Sequence, residues 1–198
     1  MINKAIEKAV QKIKNGEIIV LLDEKSREGE GDLVISAEKC RIEDLKFMIT
    51  KGMGILCLAL SPTILEKLKI PLMVKNNTDK FKTGFTISVD FKYGTTTGVS
   101  LFDRLKTIKA IINRNSIPSD FTRPGHIFPL RGHPLGLKAR RGHTEASLHL
   151  IKLAGLAESA VICEILNSKG RSANKSECKK FAKKYNLFSI SIINLKNG

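Results

Sequence analysis

The sequence predicts an α/β (α+β) fold: a single three-layer α-β-α domain with a mixed, twisted sheet. Two observations support this prediction. Segments with strand composition and segments with helical periodicity alternate from one end of the chain to the other, which is typical of helices packed on both faces of a sheet. The 198 residues also fit one domain and contain no internal repeat, low-complexity segment or linker. We therefore expect residues 1–198 to fold as one domain.

The first third of the chain is predicted to contain three helices and three strands. Apolar residues recur at helical spacing over residues 2–15, and Asn15-Gly16 is a typical helix stop. Short apolar runs predict the strands, and Ser61-Pro62 predicts a capped helix start with proline in the first turn. The predicted helices cover residues 2–15, 42–51 and 61–70, and the predicted strands cover residues 17–22, 33–37 and 55–60.

The rest of the chain continues the alternation. Residues 74–82 are polar and are predicted to form an exposed loop. Hydroxyl-bearing residues and glycines over 94–100 precede a helix, so this segment is either an ordinary helix cap, which is the commoner case, or an anion contact. Residues 119–129 are interpreted as a loop that feeds a short strand over 127–130. The remaining predicted helices cover 101–113, 142–153 and 175–185, and the remaining predicted strands cover 85–91, 159–166 and 187–193.

The composition is typical of a globular protein, with 42% hydrophobic and 27% charged residues. No apolar run approaches the roughly 20 residues that a membrane helix requires, and the opening segment is a charged amphipathic helix rather than a signal peptide. The four cysteines lack CxxC or metal-ligand spacing, and Cys57 and Cys163 lie within apolar runs. We therefore expect a cytoplasmic protein with reduced thiols and no membrane partner.

The formal net charge of +15 raises the hypothesis of a nucleic-acid partner. Most of this charge comes from lysines scattered along the chain, and the one tight cluster, over residues 179–184, lies on a predicted helix that keeps it solvated. Arg140 and Arg141 directly precede a predicted helix start, which favours a small anion there. We expect no specific nucleic acid, and a charge-driven nucleic-acid-binding module is kept as an alternative.

Three carboxylates crowd the segment Arg27-Glu28-Gly29-Glu30-Gly31-Asp32, directly after an apolar run. In an extended chain, Glu28, Glu30 and Asp32 would share one face because strand side chains alternate. Like charges this close raise one another's pKa or recruit a cation. A solvated acidic turn is the simpler interpretation, but clustered acids in a basic chain favour a site that holds a proton, a metal or a basic group.

Three further residues have ionisable side chains, and their spacing in the sequence does not decide their roles. Glu164 is the single acid in an apolar strand, so it faces a cleft, is paired or holds a proton, unless it is a structural residue at a sheet edge. His143 is either a capping residue or a metal ligand, and His126 is either a loop imidazole or a functional group. Carboxylates combined with histidine form an oxygen-rich set that favours Mg²⁺ or Mn²⁺ over zinc.

Five motifs follow one another along the chain in a combination that is far more specific than any one of them. They are Arg27-Glu28-Gly29-Glu30-Gly31-Asp32, Thr96-Thr97-Gly98-Val99-Ser100, Arg123-Pro124-Gly125-His126-Ile127-Phe128-Pro129-Leu130, Arg140-Arg141-Gly142-His143-Thr144-Glu145-Ala146 and Cys163-Glu164. With them the chain closely resembles the 3,4-dihydroxy-2-butanone 4-phosphate synthase family of riboflavin biosynthesis, from its first helix to its last strand. The resemblance implies the fold of that family, a Mg²⁺ or Mn²⁺ cofactor, a homodimer, and a lyase that converts D-ribulose 5-phosphate into L-3,4-dihydroxy-2-butanone 4-phosphate and formate.

The resemblance also implies a role for each matched position. Glu28 and His143 match the metal ligands of the family, and residues 140–144 match the segment that holds the substrate phosphate. His126 and Glu164 match positions that the family requires for activity. The implied site therefore comprises the catalytic residues His126, Glu164, Glu30 and Asp32, the substrate-binding residues Arg27, Glu28, Asp32, Arg140, Arg141, Gly142, His143, Thr144 and Glu164, and the metal ligands Glu28 and His143.

These residue types suit the implied reaction. A proton must leave the carbon beside the ketone of ribulose 5-phosphate, and a divalent cation stabilises the enediolate that results. The later steps need proton delivery and removal, which carboxylates of perturbed pKa and a histidine can perform. Another metal-dependent isomerase or aldolase for a sugar phosphate would use much the same groups and is kept as an alternative.

The chain also departs from the family pattern. Many relatives are more acidic where this chain has Lys25 and Ser26, and they carry Asn or an acid in place of Gly29, so we expect weaker metal affinity or weaker loop ordering. The chemical positions are intact, which disfavours an inactive relative. The cysteine-rich zinc segment of the GTP cyclohydrolase II module that some relatives carry does not occur in this sequence, so we expect no such fused domain.

Overall fold

The structure, a computed structural model, describes residues 3–24 and 26–197. Its strands are β1 (Ile19–Leu22), β2 (Gly31–Ser36), β3 (Cys57–Leu60), β4 (Val89–Phe91), β5 (Phe121–Arg131), β6 (Ser159–Glu164) and β7 (Phe188–Ser191). Its α-helices are α1 (Lys4–Lys14), α2 (Ile42–Phe47), α3 (Pro62–Lys67), α4 (Leu101–Ile112), α5 (His143–Leu153) and α6 (Lys175–Lys184). Two positions named in the sequence analysis lie outside the described residues. They are Lys25, where the chain departs from the family pattern, and Ile2, the first residue of the predicted opening helix.

The strands form one mixed sheet in the order β4-β5-β3-β6-β2-β1-β7. The pairs β3–β5 and β1–β7 are parallel, and the other neighbouring pairs are antiparallel. Residues 27–30 of the acidic segment lie between the antiparallel neighbours β1 and β2, and its last two residues, Gly31 and Asp32, begin β2. The predicted mixed sheet is therefore confirmed.

Both faces of the sheet are buried, because successive side chains of each central strand enter different apolar clusters. Val20 and Leu33 belong to a cluster that packs under α2, α3, α4 and α6. Ile19 and Val34 belong to a second cluster, which packs under α1 and α5. Helices on both faces of one sheet give the predicted three layers. The alternation also decides which polar side chains at the strand ends lie beneath α5.

The largest difference from the sequence prediction lies in β5, where Pro124 and Gly125 favour a loop. The ladder between β4 and β5 shifts register, since Val89 pairs with Ile127 whereas Asp90 pairs with Thr122. Residues 123–126 therefore form a bulge, which accommodates a proline and a glycine that a regular ladder would exclude. The predicted loop over 119–129 is for the most part a bulged strand.

Two predicted elements are divided differently in the structure. The helix predicted over 42–51 consists of α2 followed by a π-helical turn, Met48–Gly52. Of the strand predicted over 85–91, residues 89–91 form β4, whereas residues 85 and 86 form isolated bridges. The other predicted elements occur within a few residues of their expected ends, which is the usual precision for element boundaries.

The segment before α4 is a helix cap, which is the commoner of its two interpretations. The Ser100 hydroxyl accepts a hydrogen bond from the Asp103 backbone N–H at 3.1 Å. The Asp103 carboxylate accepts hydrogen bonds from the Thr96 backbone N–H and from its hydroxyl. The hydrogen bond from the Thr96 hydroxyl lowers the pKa of Asp103. An acid already fills the position that an anion would need.

None of the helices described over 3–24 and 26–197 has both the length and the apolar character that crossing a bilayer requires.

Candidate active site

Two carboxylates that are distant in sequence meet at the ends of neighbouring strands. Asp32 in β2 pairs with Glu164 in β6 in the antiparallel ladder. Strand alternation places Asp32 on the same face as Val34, and Glu164 on the same face as Ile162, which is the face covered by α5. This register is the reason that the two acids face one cavity.

Glu164 is held in position by the backbone before β3. The Ile55 N–H donates a hydrogen bond to Oε2 of Glu164 at 2.8 Å. A Cβ atom on Gly54 would lie 2.5 Å from the same oxygen, so a larger residue at position 54 would displace the carboxylate. The acid inside the apolar strand thus faces a cleft and is partnered, as its sequence context requires. Sequence reasoning missed Gly54, because its contact is with a distant strand.

The acidic segment is a turn rather than a strand face. Residues 26–30 lie outside any strand, and Gly29 has a φ of 71°, a left-handed conformation that glycine adopts readily. Glu28 and Glu30 reach the cavity from this turn, whereas Asp32 reaches it from β2. The three carboxylates therefore converge from a turn and a strand, and the shared strand face that a fully extended segment would give does not form.

Arg27 is fixed within the turn by two acids. Its Nη1 lies 2.7 Å from Oδ2 of Asp23, and its Nη2 lies 2.9 Å from Oε1 of Glu28. Burial of Arg27 opposes its charge, but Asp23 and Glu28 outweigh that effect and raise the pKa of the guanidinium. The Arg27 guanidinium also lies over the Phe81 ring, 4.9 Å from the centroid. The turn is thereby tied to the loop that contains Phe81.

His143, the first residue of α5, lies beside two of the acids. Its Nδ1 is 3.5 Å from Oε2 of Glu28 and 3.6 Å from Oδ1 of Asp32, and 7% of the residue is exposed. Burial opposes protonation of His143, but Asp32 and Glu28 outweigh it and raise its pKa to about 9. Burial raises the pKa of Asp32 to about 7, with Glu164 among the acids that add to the rise. Burial likewise opposes ionisation of Glu28, but His143 and Arg27 lower its pKa.

The donor atoms fit a divalent cation. Asp23, Glu28 and His143 each offer a ligand atom within 4.8 Å of the others. Within residues 3–24 and 26–197, Oδ1 of Asp32, which lies 3.6 Å from Nδ1 of His143, is buried without a hydrogen-bond partner, a costly state that a cation would relieve. Carboxylates with one imidazole suit a hard cation such as Mg²⁺. Sequence reasoning missed Asp23, although a carboxylate directly after an apolar strand was an available signal.

Gly142 and two arginines form a basic corner at the start of α5. Gly142 is the N-cap residue, and no side chain in the described part of the chain caps this helix end. A Cβ atom on Gly142 would lie 2.5 Å from Nη1 of Arg140 and 3.0 Å from Nη2 of Arg27. Two guanidinium groups beside uncapped helical N–H groups make a site for an anion.

These groups surround a cavity of about 260 Å³. Thr144, which is 3% exposed, lies at its edge beside the basic corner. The residues that the sequence analysis predicted and that line this cavity are Arg27, Glu28, Glu30, Asp32, Arg140, His143, Thr144 and Glu164. An acidic side and a basic side facing one small cavity suit a phosphorylated, oxygen-rich substrate.

Three predicted residues do not line this cavity, and one of them, Gly142, lies in the basic corner beside it. His126 lies in the bulge of β5, where its Nδ1 is 2.6 Å from Oδ2 of Asp90. Arg141 is exposed and faces a separate groove beside Lys138. Sequence adjacency to Arg140 did not predict this, because the chain turns at the helix start and sends consecutive side chains in different directions.

Comparison with known proteins identifies the family. The family model for 3,4-dihydroxy-2-butanone 4-phosphate synthase matches residues 7–197. A 3,4-dihydroxy-2-butanone 4-phosphate synthase from Wigglesworthia glossinidia brevipalpis is 46% identical over 182 residues, which cover 92% of this chain and 85% of the relative. The comparisons support neither the nucleic-acid-binding module nor another sugar-phosphate isomerase or aldolase.

Solved structures agree with the sequence comparison. A crystal structure of 3,4-dihydroxy-2-butanone 4-phosphate synthase in complex with two magnesium ions has a TM-score of 0.88 and 40% identity, covering 98% of this chain and 95% of that one. A crystal structure of the synthase from Candida albicans has a TM-score of 0.89 and 40% identity, covering 100% of this chain and 98% of that one.

Proposed function

The chain belongs to the 3,4-dihydroxy-2-butanone 4-phosphate synthase family of riboflavin biosynthesis, and we propose that the cavity beneath α5 is its active site. There D-ribulose 5-phosphate is converted into L-3,4-dihydroxy-2-butanone 4-phosphate and formate. The observation that carries this proposal is the meeting of Asp32 and Glu164, through the register of β2 and β6, beneath a helix start flanked by Arg27 and Arg140. We also propose that residues 1–198 form one domain.

Glu28 and His143 are the proposed ligands of a divalent cation, Mg²⁺ or Mn²⁺, with Asp23 and Asp32 close enough to assist. When bound, the cation supplies positive charge opposite the negative charge that develops on substrate oxygens. The two-magnesium complex of a relative supports this assignment. The buried, unpartnered Oδ1 of Asp32 supports it independently.

The carboxylates carry the proton transfers. Glu164 is fixed through one oxygen by the Ile55 N–H, which leaves its second oxygen for exchange with the substrate. Asp32 lies opposite it in the ladder, and Glu30 faces the same cavity from the turn. Acids on different elements can reach different carbons of one bound sugar, as a reaction with several proton transfers requires.

The substrate phosphate is held by Arg140, Thr144 and the uncapped start of α5, and Gly142 provides the clearance. The Gly142 backbone has φ −95° and ψ 171°, which alanine also adopts, so the effect of a Cβ atom is steric. Gly142→Ala should fold and raise KM for ribulose 5-phosphate about tenfold, because the two guanidinium groups must move. Steady-state kinetics measures this change.

Gly142→Ser separates clearance from capping. Serine restores a helix cap and should raise Tm above that of Gly142→Ala, while its Cβ causes the same rise in KM. A Gly142→Ser protein with the KM of the unmodified enzyme would show that a Cβ atom at position 142 does not disturb the phosphate site, and would contradict the clearance role.

We propose that the enzyme is a homodimer in which His126 serves the cavity of the other subunit. His126 does not line the cavity of its own chain, yet its position matches one that the family requires. A Cβ atom on Gly98 would lie 2.6 Å from Nδ1 of His126, and Val99 and Phe102, which follow Gly98 in the chain, are 51% and 70% exposed. Exposed apolar side chains in one patch are typical of a subunit interface.

Mixing two inactive variants tests this arrangement. A dimer of one His126→Ala subunit and one Glu164→Gln subunit holds one complete site if the site is shared, and none if each site uses a single chain. Unfolding and refolding an equal mixture should therefore recover about a quarter of the unmodified activity, since half of the dimers are mixed and each has one working site of two. Recovery of no activity from a folded dimeric mixture would refute the shared site.

A substrate panel tests the proposed reaction. Formate should appear from D-ribulose 5-phosphate with Mg²⁺, and should not appear from other pentose and hexose phosphates. Isomerised or cleaved sugar phosphate without formate would refute the proposal in favour of another sugar-phosphate enzyme. We place this reaction in the cytoplasm, in keeping with the free thiols of the four buried cysteines.

A further inference from the structure

We propose that Glu145 is a positioning residue that holds Arg140 in the orientation needed to bind the substrate phosphate. This inference rests on the proposed function, because it refines the phosphate end of the same cavity. The observation behind it is a buried carboxylate that joins Arg140 to the backbone of the loop before α5.

Glu145 lies in the first turn of α5 and is 2% exposed. Its Oε2 accepts a hydrogen bond from Nη1 of Arg140 at 2.7 Å. Its Oε1 accepts a hydrogen bond from the His133 backbone N–H at 3.0 Å. Both oxygens are therefore engaged, and the carboxylate is fixed between a side chain of the site and a main-chain anchor. A buried carboxylate needs such partners, because an unpaired charge at this depth is strongly unfavourable.

Arg140 is held on its other side by the loop that contains Phe81. Its Nε donates to the Phe81 carbonyl at 3.0 Å, and its Nη2 donates to the Thr83 hydroxyl at 2.9 Å. A guanidinium has five N–H donors, so these contacts and the bond to Glu145 leave two, one on each terminal nitrogen. Two N–H groups on one planar guanidinium suit two oxygens of a phosphate. The orientation of Arg140 is thus set before substrate arrives.

An acid in the first turn of a helix often serves as a cap, but Glu145 does not have that role. A capping glutamate at this position would accept a hydrogen bond from the N-cap backbone N–H, here that of Gly142. Instead, the Glu145 oxygens contact Arg140 and the His133 backbone. Its partners belong to the cavity wall and to the preceding loop, so its effect on substrate must pass through Arg140.

The test measures phosphate binding without turnover. Inorganic phosphate is titrated into the unmodified enzyme, Glu145→Gln, Arg140→Lys and the double variant, and Kd is read by phosphorus NMR. Glu145→Gln should raise Kd about tenfold and raise KM for ribulose 5-phosphate equally, with kcat within about threefold. In the Arg140→Lys background the same substitution should change Kd by less than about twofold, because Glu145 acts through the arginine.

Two further variants at acidic residues serve as controls for Glu145→Gln. Glu158→Gln breaks another ion pair, with Lys152 at 3.1 Å, outside the cavity, and should leave Kd unchanged. If Glu145→Gln does not fold, Glu145→Asp retains the charge but is too short to span both contacts, and should raise Kd by a similar factor. An unchanged phosphate Kd in a folded variant, or the same factor in both backgrounds, would overturn the inference. Failure of the proposed function would appear separately, as phosphate binding without formate release by the unmodified enzyme.

Discussion

Glu164→Gln lowers kcat for formate release from D-ribulose 5-phosphate by about 100- to 10,000-fold, the range expected when a positioned acid or base is lost. Glutamine has nearly the same shape, and its amide oxygen can still accept the hydrogen bond from Ile55 N–H, so the site keeps its geometry. What disappears is the ability to exchange a proton. The measurement is kcat from initial rates of formate release, with circular dichroism as the test of folding.

Glu66→Gln is the control for this substitution. Glu66 forms a surface ion pair with Arg131 at 2.6 Å, with 65% of its side chain exposed, and such pairs contribute little to stability. The kcat of the Glu66→Gln enzyme should equal that of the unmodified enzyme. A Glu164→Gln enzyme with more than about a tenth of the unmodified kcat would contradict a proton-transfer role for Glu164.

His143→Ala weakens Mn²⁺ binding by at least about 100-fold and abolishes formate release. The imidazole is a proposed ligand, and loss of even an outer-shell partner typically costs 10- to 100-fold in metal affinity. Mn²⁺ affinity is read from the electron paramagnetic resonance signal of the free ion, which does not depend on turnover. In the unmodified enzyme, EDTA should remove activity and Mg²⁺ should restore it.

His149→Ala is the matched control for the metal experiment. His149 also lies on α5, but faces the separate groove beside Lys138. Its substitution should leave Mn²⁺ affinity unchanged. Activity that persists after EDTA treatment would contradict a role for the metal in the reaction. A His143→Ala protein with unaltered Mn²⁺ affinity would contradict His143 as a metal ligand.

The sequence predicted the local elements because local signals decide them. Helical spacing predicted α1, and Ser100 before Leu101 marked the start of α4. Pro124 and Gly125 misled the prediction for β5, because the bulge that accommodates them depends on pairing with β4, which local composition does not encode. Long-range pairing in general lies beyond such signals.

The same distinction applies to the site. The crowded acids of the turn were visible as a charge anomaly, and the helix start at Gly142 as a composition change. The pairing of Asp32 with Glu164 depends on the register of β2 against β6, and the Asp23 carboxylate is tied to the site by its ion pair with Arg27. Arg141 was predicted from its place before the helix start and from the family resemblance, but it lies in the separate groove beside Lys138. The sequence therefore predicts which candidate residues lie together on one turn or helix start. It does not predict which of these residues meet residues from other strands across the sheet.

The central claim is that one cavity beneath α5 binds both the metal and the phosphorylated substrate. A crystal structure of Glu164→Gln with Mn²⁺ and D-ribulose 5-phosphate tests it most directly. We predict an anomalous peak between Glu28 and His143, with phosphate at the start of α5 against Arg140. A sugar phosphate bound instead in the groove beside Lys138 and Arg141, or a Mn²⁺ peak away from His143, would contradict the claim.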